Sequence, residues 1–96
     1  MVELHPHETV LTGSWIADGE RMRADDVCRR IEWLIESRLE RLAVDSSGWD
    51  TLYRDPHDGR LWERTYPQSG MHGGGPPQLR VVPSEVAAAK YRVGSA

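Results

Sequence analysis

GWDTLYRDPHDGRLWERTYPQSGMHGGGPPQLRVV, Gly48 to Val82, decides how this chain folds. Within it Pro56-His57-Asp58-Gly59 fits a four-residue hairpin loop, because proline presets φ at the first turn position and glycine accepts the left-handed backbone at the last. The register follows from the loop. Asp55 faces Arg60, Tyr53 faces Trp62, Thr51 faces Arg64 and Trp49 faces Tyr66. One side of the hairpin therefore carries two aromatic pairs and two arginines, and the other carries Leu52 and Leu61 with Asp50, Glu63 and Thr65. Neither side is cleanly apolar, so the one a helix covers stays open. Partial burial of the aromatics, with the arginines reaching to the rim, is the expectation.

Downstream, Pro67 to Pro77 holds too many glycines and prolines for regular structure and reads as a loop. Its glycine run does not follow a strand, open a helix or carry a lysine at nucleotide-binding spacing, so phosphate binding has no support there. Gln78 to Val82 reads as a further strand. Ser84 then caps a short helix through Tyr91, with Glu85 in its first turn.

Upstream, Ala24 to Val44 reads as one long amphipathic helix. Asp25 and Asp26 put negative charge in the first turn, each four residues before an arginine, Arg29 and Arg30. The expected buried stripe is Cys28, Ile31, Ile35, Leu39 and Leu42, flanked by Val27 and Leu34. Cys28 lies in that stripe and reads as a small core residue rather than a reactive thiolate. Trp33 falls nearly opposite, among charged residues, and is either covered by another segment or an exposed aromatic awaiting a partner. Before the helix, Glu8 to Ile16 reads as a strand, Ala17-Asp18-Gly19-Glu20 as a turn, and Arg21 to Arg23 as a short return strand.

These elements imply an α+β fold, with one long helix on a small antiparallel sheet and a short C-terminal helix. A chain of 96 residues sustains about that much core, as a single domain spanning residues 1–96. The net charge of −3 argues against a general nucleic-acid binder, which needs a concentrated basic field. No signal-peptide pattern and no run of 18 apolar residues is present, so the reading is a cytoplasmic protein without a membrane partner. The lone cysteine excludes an internal disulfide and a multi-cysteine zinc site. His5 and His7 lack further ligands nearby and read as an exposed terminus; no metal or cofactor is expected.

The ordered combination Trp49-Asp50-Thr51-Leu52-Tyr53-Arg54-Asp55-Pro56, Asp58-Gly59-Arg60, Trp62-Glu63, Thr65-Tyr66-Pro67 and His72-Gly73-Gly74-Gly75-Pro76-Pro77 resembles the immunity protein 27 family. The likeness extends back through the helix to Thr12-Gly13-Ser14-Trp15. Arg64 and Gly70 depart from the residues expected at those places. The resemblance implies a bacterial immunity protein that binds the C-terminal domain of a polymorphic toxin and stops it acting.

Tight inhibitors rely on buried aromatic and arginine anchors inside a polar rim. The candidate partner-binding residues are accordingly Trp33, Arg60, Trp62, Arg64, Tyr66 and His72, with Asp55, Asp58 and Glu63 as acids that could oppose a basic groove. For Asp55 and Asp58 a role in the turn alone is at least as well supported. An enzyme reversing a toxin modification would have to use His57, Asp58, His72 and Glu63, and no nucleophile in a recognisable motif accompanies them. A small binding module for an unrelated partner would share the same surface.

Overall fold

The structure, a computed structural model, describes residues 2–68, 70 and 75–91. Its strands are β1 (Val10–Thr12), β2 (Trp15–Asp18), β3 (Arg21–Ala24), β4 (Glu40–Val44), β5 (Thr51–Arg54), β6 (Leu61–Thr65) and β7 (Gln78–Val81). The helices are α1 (Asp26–Ser37) and α2 (Ser84–Tyr91). A five-stranded antiparallel sheet runs in the order β1-β7-β6-β5-β4, and β2 and β3 form a separate two-stranded ribbon. The fold is α+β.

The central hairpin has the register its turn requires. Tyr53 pairs with Trp62 and Thr51 with Arg64, and Asp55 N donates to Arg60 O at 2.9 Å. Gly59 closes the loop at φ 79°, a conformation that a β-carbon would strain. Asp55 Oδ1 accepts from His57 N at 2.9 Å and Asp58 Oδ1 from Arg60 N at 3.0 Å, so both carboxylates build the turn.

The sheet buries both sides. Tyr53, Trp62, Leu79 and Leu11 pack with Ile31, Leu34 and Leu39 into the main core. On the opposite side Leu52 and Val82 pack against Ala87 and Tyr91 of α2, with Ala43 and Leu61 at the margin. The aromatic side thus belongs to α1 and the leucine side to α2, which answers what the hairpin pattern left open.

The long helix is shorter than expected. It has 12 residues, ending at Ser37, and Glu40–Val44 is instead the edge strand β4. Arg38 caps it: Arg38 N and Leu39 N both donate to Leu34 O, at 2.9 and 2.7 Å, which turns the chain out of the helix. Leu39 is then drawn into the core, while Leu42 is 38% exposed on β4. The buried face is Cys28, Ile31 and Leu34, so the stripe is rotated towards Leu34 and leaves Ile35 half-buried. At its start Asp25 is the N-cap, accepting from Cys28 N at 2.8 Å. Arg29 pairs with Asp26 at 3.5 Å, whereas Arg30 turns away to form a two-pronged pair with Glu8, both bonds 2.8 Å.

The expected strand from Glu8 to Ile16 is broken between β1 and β2. Gly13 N donates to Pro77 O at 2.9 Å and Ser14 O accepts from Asp25 N at 3.0 Å, so the chain leaves one sheet and enters the other here. A β-carbon on Gly13 would lie 2.5 Å from Cys28 Sγ and 2.8 Å from Pro77 O. The crossing needs a residue without a side chain.

Candidate functional site

Beyond the last ladder pair of the hairpin, Trp49 and Tyr66 meet edge to face, with ring centroids 5.7 Å apart and planes at 80°. Trp49 is 52% exposed. Arg64, two residues before Tyr66 on the same side, holds its guanidinium carbon 5.2 Å from the Tyr66 ring centroid. Its Nη2 donates to Thr51 Oγ1 at 3.2 Å, its Nε is buried without an acceptor, and it forms no ion pair among the described residues. Among the described residues this cation has stacking on the ring and one neutral hydrogen bond, and no acidic counterpart.

Tyr66 is also the wall between two clefts. One, of about 600 Å³, is lined by Trp49, Asp50, Arg80 and Lys90 among others. The other, of about 430 Å³, lies between α1 and the sheet and is lined by Trp15, Ile31, Glu32, Ile35, Glu36 and Arg64. Aromatic, arginine and acidic groups therefore converge on one end of the molecule.

Glu63 points the other way, into the side covered by α2, and is 1% exposed. Its Oε1 accepts from Arg80 Nη2 at 3.1 Å, and its Oε2 from Lys90 Nζ at 2.5 Å and Tyr91 Oη at 2.7 Å. Lys90 also reaches Asp50 Oδ2 at 2.7 Å. Burial raises the Glu63 pKa, but the bonds from Lys90, Tyr91 and Arg80 outweigh it and hold the carboxyl below its ordinary value. Desolvation and the same carboxylate push the Tyr91 hydroxyl up. The cluster ties α2 to the sheet.

The remaining candidates lie apart from Tyr66. Trp62 is fully buried in the main core under the Arg60 guanidinium, 4.9 Å from its ring centroid. Arg60 donates to Glu8 O at 2.6 Å and His5 O at 3.0 Å and pairs with Asp58 at 2.6 Å, so it fastens the N-terminal segment to the hairpin turn. Asp55 is 8% exposed within that turn. Trp33 is half-buried against the main core, with the Arg38 guanidinium 5.1 Å from its ring centroid. His72 lies outside the described residues. Of the nine candidates the structure brings together two sets: Asp55, Asp58, Arg60 and Trp62 at the hairpin turn, where they serve the fold, and Arg64 with Tyr66 at the open end, where Trp49, Trp15, Asp50, Arg80 and Lys90 complete their surroundings. Trp49 was already legible as the partner of Tyr66 from the loop length, whereas Trp15 and Lys90 arrive from distant elements.

Among the described residues no group of three or more His, Cys, Asp or Glu is placed to hold a metal ion, and no helix is long and apolar enough to cross a membrane.

A small α+β domain whose buried charges are committed to structure, and whose aromatic and arginine groups stand half open at one end, has the surface of a binding protein. The model of the immunity protein 27 family matches residues 17–83, and the chain belongs to that family. The general role this carries is toxin neutralisation, with a toxin as partner. The matched span runs from β2 through β7 and leaves out β1 and α2. No curated protein and no solved structure matches the chain.

Proposed function

We propose that this immunity protein neutralises a cognate toxin C-terminal domain by one-to-one occlusion in the cytoplasm, with the toxin docking on the Tyr66 wall. The observation that carries the reading is the Arg64–Tyr66–Trp49 cluster: a cation without an acidic partner among the described residues, stacked on one aromatic and beside another that is 52% exposed. Tryptophan, tyrosine and arginine are the residue types that dominate binding energy when a partner closes over them. The two flanking clefts let a partner reach Tyr66 from either side. Catalysis finds less support, because Glu63 is saturated by three cationic or hydroxyl donors and Asp58 by its own turn.

The test is a calorimetric titration of the protein into the toxin domain encoded beside it, read together with that domain's toxicity. Saturable one-to-one binding that abolishes toxicity is the expected result. Loss of toxicity at far below one equivalent of protein would overturn occlusion in favour of turnover.

A further inference from the structure

The segment Val2–Glu8 precedes β1 and belongs to neither helix nor strand. Leu4 packs against the main core and Glu8 is half-buried, while the other five residues are exposed. Little apolar area holds it down. What holds it is three arginines: Arg30 on α1, Arg38 just past its end and Arg60 beside the hairpin turn. Besides its two-pronged pair with Glu8, Arg30 donates to Val2 O at 2.9 Å and to Glu3 O at 2.8 Å. Arg38 pairs with Glu3 at 3.0 Å, and Arg60 donates to Glu8 O and His5 O.

Two of these arginines stack on tryptophans, Arg38 on Trp33 and Arg60 on Trp62. Arg60 has Asp58 as its counterion, whereas Arg30 and Arg38 find their ion-pair partners among the described residues in Glu8 and Glu3. A cleft of about 440 Å³ lies beside the segment, lined by Leu4, Leu34, Arg38, Leu39 and His57 among others. The segment is thus one wall of a groove that it leaves partly open. The span matched by the family model, residues 17–83, contains all three arginines and Trp33 and leaves the segment out. The groove belongs to the matched domain; its occupant does not.

We infer that this groove is a binding site for an acidic segment of a partner protein, and that Val2–Glu8 occupies it from within the chain as a displaceable stand-in. Charge complementarity names the ligand. It carries one carboxylate for Arg30 and one for Arg38, an apolar side chain next to the second, and backbone carbonyls for Arg60. A tethered segment competes at an effective concentration on the order of millimolar, so a free ligand gains when the tether is loosened. The groove lies at the turn end of the hairpin and Tyr66 at the other, and the inference does not rest on docking at Tyr66.

The experiment is a chemical-shift titration with a synthetic peptide of the Val2–Glu8 sequence. It is run on the full chain and on Glu3→Gln with Glu8→Gln, which loosens the segment and leaves the arginines in place. The expected result is saturable binding, about tenfold or more tighter in the double variant and weakened by salt. Binding should vanish when Arg30→Gln is added, and with a peptide carrying glutamine at both glutamate positions. Equal binding by parent and double variant, no binding by the double variant, or a glutamine peptide that binds as well overturns the inference. Hydrogen exchange on the parent chain reads displacement independently of any variant. The amides of His5 and Glu8, bonded to Glu8 Oε1 and His5 O, should be protected at least about tenfold less than those of β5 and β6, because the segment opens locally. Protection equal to that of the central sheet, or a double variant that circular dichroism shows to be unfolded, makes the segment part of the fold and overturns the inference.

Discussion

Tyr91, the last residue of α2, donates its hydroxyl to Glu63 Oε2 at 2.7 Å, and both residues are buried. That bond joins the C-terminal helix to the strand at the centre of the sheet. Removing the hydroxyl leaves Glu63 with its Arg80 and Lys90 donors but with one fewer bond in a dry site. Tyr91→Phe is expected to cost ~1.5–3 kcal/mol, the range for a hydrogen bond to a charged group, measured by urea unfolding. A loss below ~0.5 kcal/mol, ordinary for an indifferent surface change, would show that Tyr91 does not hold α2 down.

Acid should loosen the other end of the molecule. The two-pronged bond from Arg30 holds the Glu8 carboxyl at about 2, down from an ordinary 4.5. A carboxylate with a depressed folded-state pKa contributes stability that is present above its unfolded value and lost as pH falls through the folded one. The Glu8 contribution is therefore whole above pH 4.5 and disappears as pH falls towards about 2. Glu63, also depressed, acts in the same direction. Glu8→Gln should flatten the acid limb of a stability–pH curve and lower the plateau near neutrality. An unchanged acid limb would mean that the pair with Arg30 does not persist in solution.

The hairpin was legible because its loop is specific: once Pro56 to Gly59 form the turn, every pair from Asp55–Arg60 to Thr51–Arg64 is determined. The helix boundary was not. Glu40, Arg41, Leu42 and Ala43 are all good helix formers and extend the periodicity of α1, with no glycine or proline between Ser37 and Val44. What converts them to a strand is the free edge of β5, a tertiary effect that no local pattern encodes. The candidate site suffered similarly. Its arginine and tyrosine are two residues apart at the end of β6, but Trp15 and Lys90 reach it through the β1–β2 crossing and through α2.

The helix phase can be checked by two truncations. Leu34 is 1% exposed between α1 and the sheet, so Leu34→Ala should cost ~2–5 kcal/mol as a large-to-small core change. Ile35 is half-buried at the margin, and Ile35→Ala should cost clearly less. Equal losses in parallel urea titrations would restore the stripe through Ile35.

Gly13 makes a backbone prediction. Its missing β-carbon is what lets Pro77 and Cys28 close over the crossing, and Pro77 O, at 2.8 Å from the added atom, belongs to the main chain and cannot rotate away. Gly13→Ala should cost ~1–3 kcal/mol, as overpacking does. Thermal melts of Gly13→Ala and of Gly13→Ala with Cys28→Ala separate the two clashes: only the Sγ contact is relieved in the double variant, so a partial recovery is expected. A full recovery would mean that Pro77 moves freely.

Trp49 and Arg64 provide the sharpest separation of binding from folding. Trp49 is 52% exposed, so Trp49→Ala removes little buried area and should cost about 1 kcal/mol of stability, the worth of its edge contact with Tyr66. Against the toxin domain the same change should cost ~2 kcal/mol or more, the scale of an interface hot spot. Arg64→Ala should likewise weaken binding, and Arg64→Lys should not rescue it, because a lysine keeps the charge but loses the planar group stacked on Tyr66. If calorimetry shows both variants binding the toxin domain as the parent does, the docking surface lies elsewhere on the molecule. If both bind weakly and melt early, the cluster is a structural clasp, and the contact between Trp49 and Tyr66 serves to close the open end of the hairpin.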